Sequence, residues 1–179
     1  QEDAPWYHWP KSLRQASTKA LTKWRREHAD DVSFYAFEQW IAHRQWFALK
    51  NSAKNHGITI IGNLPFFAAH DSIDVWAHQR AFHLRRNGRL RFVAGAPPDP
   101  MFPDGQKWGF PLFRWSDARH RHFRWWYARL GRTMSLYHRV VLDHFRGYVS
   151  VWGIAARRND ALRGRWHATP GKKILSVLR

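Results

Sequence analysis

The stretch that most limits what this chain can fold into is Val140-Val141-Leu142-Asp143-His144-Phe145-Arg146-Gly147. Three aliphatic residues run into a carboxylate, followed by His, an aromatic, Arg and Gly. An unbroken apolar triplet suits a strand buried in a parallel sheet rather than an alternating surface strand. The polar cluster suits the loop at that strand's carboxyl end, where α/β folds assemble their chemistry. Asp143 is therefore a candidate nucleophile or base, and the plainer alternative is an Asp that caps the next element. A second apolar run, 58–61, follows a helix-length stretch and Gly57. Helix, Gly, buried strand is the rhythm of an α/β unit. Two parallel strands cannot close a barrel, which needs eight, so the pattern predicts part of a barrel or of an open sheet.

Apolar spacing predicts helices over 12–28 (Leu13, Ala16, Ala20, Leu21, Trp24), 32–55 (Phe34, Phe37, Ile41, Ala48) and 117–137 (Phe123, Trp126, Tyr127, Leu130, Met134). Asp30 and Asp31 break the first helix and can cap the second, and Asp71 or Ser72 can cap a short turn over 72–77. Arg85-Arg86-Asn87-Gly88 has turn chemistry, with 90–93 as one arm of a hairpin. The segment 94–111 contains five of the nine prolines and three glycines and reads as mostly irregular. A loop that long in a compact domain is usually functional. Residues 148–161 read as mixed, and Thr169-Pro170-Gly171 as a helix start leading into a helix over 172–179. The expected organisation is one incomplete unit over 1–179: a helical lead-in (1–57), two strands with an inserted lid and helical region (58–143), and a helical tail (144–179).

The totals exclude several classes. At 44% hydrophobic the chain can bury a core and is not a disordered tail. No apolar run reaches the length of about eighteen residues that a membrane span needs, and 1–6 carry no signal-peptide pattern. The first residue is Gln, which implies a chain processed or cut from something longer. Without Cys there is no disulfide, thiolate nucleophile or zinc–thiolate site, which fits the cytoplasm. A net charge of +17 with 12 Trp and 12 Phe suits a binder of single-stranded nucleic acid. Aromatic faces also stack on sugars, so a carbohydrate groove fits the composition equally well. Arg85-Arg86, Arg119-His120-Arg121-His122 and Arg157-Arg158 would be the nucleic-acid contacts, though each reads more simply as a solvated face. His120-x-His122 lacks further ligands at metal-binding spacing, so no metal and no cofactor is expected.

Seven motifs carry a resemblance. They are Phe37-x-Gln39-Trp40 with Gln45-Trp46-x-x-Leu49-Lys50; Gly57-Ile58-x-Ile60-Ile61-Gly62-x-Leu64-Pro65; Asp71-Ser72-x-Asp74-Val75-Trp76; Val93-Ala94-Gly95-x-Pro97-Pro98-Asp99; Gly105-Gln106-x-Trp108-Gly109-x-Pro111-Leu112; Asp143-His144-Phe145-Arg146-Gly147; and Pro170-Gly171. In this order, from about Trp9 to the C-terminus, the chain resembles the 4-α-glucanotransferases, also called amylomaltases or disproportionating enzymes. The resemblance implies an α/β fold, a (β/α)8 TIM barrel of which this chain holds about two parallel strands, with mostly helical insertions. It also implies transfer of α-1,4-glucan segments, with maltooligosaccharides as partners and retention at the anomeric carbon. Retention needs a carboxylate nucleophile and a carboxyl acid/base about 5–5.5 Å apart. By resemblance Asp143 is the nucleophile, Asp99 and Gln106 hydrogen-bond the glucan, Trp108 packs on it and His144 touches it. Asn63 falls at a further substrate-binding position, and 96–104 matches a flexible lid.

The departures from the family pattern fall in the site. The family's acid/base Glu and its third carboxylate come after Pro170-Gly171, whereas this chain's three Glu (Glu2, Glu27, Glu38) all precede Asp143. After Asp143 its one carboxylate side chain is Asp160. Val141 stands where the family has Arg, two residues before the nucleophile and so on the same face of the strand. Asn63 stands in place of Asp, Pro100 and Met101 in place of an aromatic pair, and Phe110 in place of Asn. The chain alone is therefore expected to lack transferase activity, with a non-catalytic glucan-binding remnant and a basic nucleic-acid module as the alternatives. Strands without neighbours predict self-association through exposed edges, and the charge predicts non-specific binding of polyanions.

Overall fold

The computed structural model describes residues 4–115 and 121–176. Helix α1 (Lys11–Arg14) and helix α2 (Thr18–Glu27) are separate, because Ala16 takes a left-handed φ of 50° where one helix over 12–28 was expected. Helix α3 (Ala29–Asn55) starts three residues early and takes Asp30 and Asp31 into its first turn, where the helix dipole favours acidic side chains. It holds the body by its C-terminal half. Trp46 Nε1 donates to the Leu136 carbonyl at 2.8 Å and Lys50 Nζ to that of Ser135 at 2.7 Å. Both carbonyls end helix α5 (Arg121–Leu136), whose negative dipole end suits a lysine. The sequence placed that helix over 117–137, and 117–120 lie outside the described residues.

Strand β1 (Ile61–Leu64) pairs in parallel with strand β4 (Arg139–Leu142), the first three residues later than the expected 58–61. Ile60 and His138 lock the entrance: Ile60 N donates to His138 Nδ1 at 2.9 Å, and His138 N to the Ile60 carbonyl at 3.0 Å. The register sets Ile61 beside Arg139 and Asn63 beside Val141. These four residues are exposed, whereas Gly62 and Leu64 are buried against α5 and the core. Gly62 is required there, since a Cβ would sit 2.0 Å from the Tyr137 ring. Helix α4 (Ile73–Ala77) follows, its N-terminus capped by Ser72 Oγ accepting from Val75 N.

The expectation of mostly helical insertions is corrected. A four-stranded antiparallel sheet, in the order β3-β2-β5-β6, is built from β2 (Phe92–Ala96), β3 (Gln106–Pro111), β5 (Ser150–Ala155) and β6 (Gly164–Ala168). Two readings fail on it. The segment 94–111 is half strand, the end of β2 and all of β3, with 97–105 irregular between them, and the helical tail over 144–179 is a strand pair before helix α6 (Gly171–Leu175). Residues 177–179 of the expected terminal helix lie outside the described ones. The hairpin tip is where expected, with Leu84 bridging Leu90 across Arg85–Gly88, but β2 extends to Ala96 and takes β3 and β5 as its neighbours.

The core lies between this sheet (Ala94, Val151), α5 (Trp126, Leu130), and the end of β1 with the segment after it (Leu64, Phe66, Phe67). The architecture is mixed α/β, with a small parallel pair beside an antiparallel arm. Among the described residues no helix is long and apolar enough to cross a membrane.

Candidate functional site

The parallel ladder continues one residue past β4, where Asp143 N donates to the Leu64 carbonyl at 3.1 Å. His144 then turns into the left-handed region at φ 45° and ψ 53°, a conformation few non-glycine residues adopt and one that clusters at functional sites. The turn folds its N–H back onto Asp143 Oδ1 at 2.8 Å, so backbone orients the carboxylate. Gly147 lets the turn pack. A Cβ there would lie 2.8 Å from His144 Cδ2 and 3.0 Å from the Phe66 ring.

A cavity of about 560 Å³ opens at the carboxyl ends of the two parallel strands, within the range of small-molecule sites. Asp143 and His144 form one side, Trp108 and Phe110 of β3 another, and Arg129 of α5 also reaches it. The walls are aromatic and mutually braced. Trp108 meets His144 edge to face at 5.2 Å and 85°, and Phe67 stacks on Phe110 at 5.6 Å and 3°. Trp108 Nε1 donates to Gln106 Oε1 at 3.0 Å, which fixes the tilt of the indole. Flat apolar walls beside an oriented carboxylate can hold a ring with polar edges and present one of its carbons to a nucleophile.

Arg129 is the cation of the cavity. Its guanidinium donates to the carbonyls of Phe66 (3.5 Å) and Phe67 (3.2 Å) and lies 5.5 Å from the ring centroids of Trp125 and Trp126. Burial pulls its pKa down, opposed by Asp74 and the Tyr148 phenol. Asp74, also on the cavity wall, accepts from Trp125 Nε1 at 3.0 Å. Burial pushes the Tyr148 phenol up to about 12 despite Arg129, with Asp143 adding to the rise. Burial also lowers the His144 pKa, which Asp143 opposes and Arg146 reinforces, so the imidazole favours its neutral form.

Of the residues singled out from sequence, Asp143, His144 and Trp108 line the cavity together. Gln106 reaches it through Trp108. Asp99 turns into its own loop, Oδ1 accepting from Met101 N and Phe102 N at 2.8 Å each. Asn63 lies on the exposed face beside Val141, which by strand parity is the face of Asp143, and does not line the cavity. Phe67, Asp74 and Arg129 were missed. Arg129 had a signal, being a cation on the apolar stripe of α5 between Trp126 and Leu130. Of the basic clusters, Arg158 is paired with Asp160 at 3.2 Å, and Arg119-His120-Arg121-His122 lies outside the described side chains.

A family model described as 4-alpha-glucanotransferase matches residues 1–179. The chain is similar to the 4-alpha-glucanotransferase of Thermus thermophilus, 45% identical over 175 residues that cover 98% of this chain and 35% of that protein. It is also similar to the chloroplastic/amyloplastic 4-alpha-glucanotransferase of Solanum tuberosum, 34% identical over 97% of this chain and 30% of that one. Among solved structures, the amylomaltase from Streptococcus agalactiae in complex with acarbose superposes with a TM-score of 0.92 at 29% identity. The match covers 99% of this chain and 36% of that one. The chain thus spans about a third of the length of the relatives it matches.

Proposed function

The chain belongs to the 4-alpha-glucanotransferase family, and from that premise we propose that it forms part of a partial (β/α)8 barrel site that transfers α-1,4-glucan segments with retention. Asp143 is the nucleophile. Its carboxylate oxygen bonds to the anomeric carbon as the glycosidic C–O bond breaks, and the leaving glucosyl oxygen takes a proton from a general acid. In the second step the hydroxyl of an acceptor glucan attacks the same carbon and gives its proton to that group, now a base, and the Asp143 carboxylate departs. Trp108 packs on the sugar, His144 holds its orientation, and Gln106 sets the indole. Asp99, turned into its own loop, and Asn63, on the exposed face beside Val141, stand outside the cavity and take no part in this scheme.

What carries the reading is the cavity itself, with an oriented carboxylate at the end of a parallel pair and aromatic walls around it. Among the described residues the carboxylates lining it are Asp143 and Asp74, and Asp74 is engaged by Trp125. Among the described residues no further carboxyl group lines the cavity to serve as the acid, and lacking one costs roughly 10²–10⁴-fold in rate. For these 179 residues by themselves the proposed behaviour is glucan binding without transfer. Titration calorimetry of maltoheptaose into the chain at two salt concentrations tests it. Salt-insensitive binding lost in Trp108→Ala supports the cleft, and the absence of binding heat would sink it.

A further inference from the structure

Away from the cleft, the core-facing side of the antiparallel sheet ends in a cluster of cations that the glucan reading leaves unused. The ladder places the cluster on one face: Phe92 opposite Ala155, Arg165 opposite Gly153, and His167 opposite Val151. Gly153 is the gap that admits His167, since a Cβ there would lie 2.6 Å from that ring. His83 comes over from the neighbouring segment, with its backbone N–H on the Leu112 carbonyl at 2.8 Å and its carbonyl accepting from Arg91 N at 3.0 Å. Three rings then close a triangle. His83–Phe92, Phe92–His167 and His83–His167 centroids are 5.8, 5.7 and 6.1 Å apart.

Arginines rim this triangle. The Arg91 and Arg165 guanidinium carbons lie 5.8 and 5.5 Å from the Phe92 centroid, and Arg114 adds a third positive charge beside His83. Burial drives the His83 pKa down to about 4, and Arg114, His167, Arg91 and Arg165 all push the same way. No carboxylate acts on His83 or His167 among the described residues. Arg165 Nε donates to His167 Nε2 at 3.2 Å, and the remaining guanidinium donors of Arg91, Arg114 and Arg165 have no described protein acceptor. Gathering three like charges around half-buried imidazoles is unfavourable unless an anion joins them.

We propose that Arg91, Arg114, Arg165, His83 and His167 form a binding site for a phosphate group. Guanidinium forks match phosphate oxygens two at a time. The two imidazoles supply further donors once the dianion favours their protonation. The apolar Phe92 floor suits a compact group seated on a ring triangle rather than a long strand. The phosphate comes either free or as a monoester carried on a sugar.

The test is an NMR titration of the His83 and His167 ring resonances with inorganic phosphate, glucose 6-phosphate and sodium acetate at matched ionic strength. Saturable shifts with phosphate, and a His83 pKa raised by its presence, support the site. Tighter binding of glucose 6-phosphate would identify the sugar monoester as the source, and equal or weaker binding the free ion. Arg165→Gln should weaken phosphate binding about tenfold, and the exposed Arg91→Gln serves the same purpose should Arg165→Gln lower the melting temperature. Absence of any saturable shift overturns the proposal, as does an equal response to acetate. So does a response confined to a single-stranded oligonucleotide with a steep salt dependence, which would mark a nucleic-acid surface. Maltoheptaose binding is read separately, so the failure of one proposal leaves the other standing.

Discussion

Replacing Gly147 by alanine perturbs the cleft through a single methyl group. Gly147 does not have a left-handed φ, so its backbone accepts alanine without strain. The new Cβ would lie 2.8 Å from His144 Cδ2 and 3.0 Å from Phe66 Cγ and Cδ1, well inside the contact distance of about 3.5–4.0 Å between carbons. One neighbour must give way. Phe66 is 1% exposed and boxed in by Phe67, Phe113, Trp126 and Tyr148 at centroid distances of 5.0–5.7 Å. His144 is half-buried and opens onto the cavity, so His144 moves. Overpacking of this kind costs about 1–3 kcal/mol, which for a chain of this size lowers Tm by roughly 2–12 °C. Displacement toward solvent also relieves the burial that lowers the His144 pKa, so that pKa should rise toward its ordinary value in an NMR titration. Maltoheptaose binding should weaken in parallel. Gly57→Ala is the control: at φ 72° with nothing within 4 Å, it costs about 1–2 kcal/mol of backbone strain and leaves His144 alone. An unchanged melt and an unchanged His144 titration in Gly147→Ala would refute the claim that Phe66 is immovable.

Phe66→Ala should cost about 3–5 kcal/mol in urea unfolding, the range for an aromatic removed from a packed core; a loss below about 1 kcal/mol would show that the core collapses around the gap. Folded His83 gives up its proton near 4, whereas the unfolded chain does so near 6.5. The unfolded state therefore binds more protons between those values, and stability falls as pH drops through that window. His70, His144 and His167 shift the same way, and His83→Gln should flatten the pH dependence of Tm. Val141→Arg restores a guanidinium on the face of Asp143 and should tighten maltoheptaose binding; unchanged affinity would mean that the loss at 141 is immaterial. Ile61 and Val141 are exposed on the parallel pair, so concentration-dependent oligomers should appear in light scattering and diminish in Ile61→Lys.

What was legible in the sequence followed strong local signals. Helix α5 runs straight into β4, and apolar spacing followed by an aliphatic triplet announced both. The sequence offered Asp71 or Ser72 as the cap of α4, and Ser72 takes the role. Of the antiparallel strands only the start of β2 gave a signal, through the hairpin arm read over 90–93. Phe92–Ala96 is mostly small residues because the neighbouring strand is close, with a Cβ on Gly95 meeting the Gln106 carbonyl at 2.0 Å. Small residues and nearby prolines resemble a loop when read without the partner strand. In the site, Asp143 and His144 could be found from their place after a strand, and Trp108 from its motif. Arg129 and Asp74 come from other elements and meet only when α5 packs under the segment that follows β1. Asp99 looks the same in sequence whether it faces a ligand or caps its own loop, and here it caps the loop.

The parallel pair also sets an order of events in folding. Ile60 and His138 are 78 residues apart in the chain, and closing a loop of that length costs about 4 kcal/mol of chain entropy before any contact forms. In the antiparallel arm, Trp152 reaches Ala161 nine residues along, for about 2 kcal/mol. Segments of low sequence separation close first, so the β5–β6 hairpin precedes the parallel pair, whereas the β2–β5 ladder, with Phe92 opposite Ala155, needs a loop almost as long. The junction that carries Asp143 is then fastened after that hairpin and comes loose before it. Hydrogen exchange at the Asp143 and His144 amides should report sub-global openings of the cleft that leave the β5–β6 amides protected.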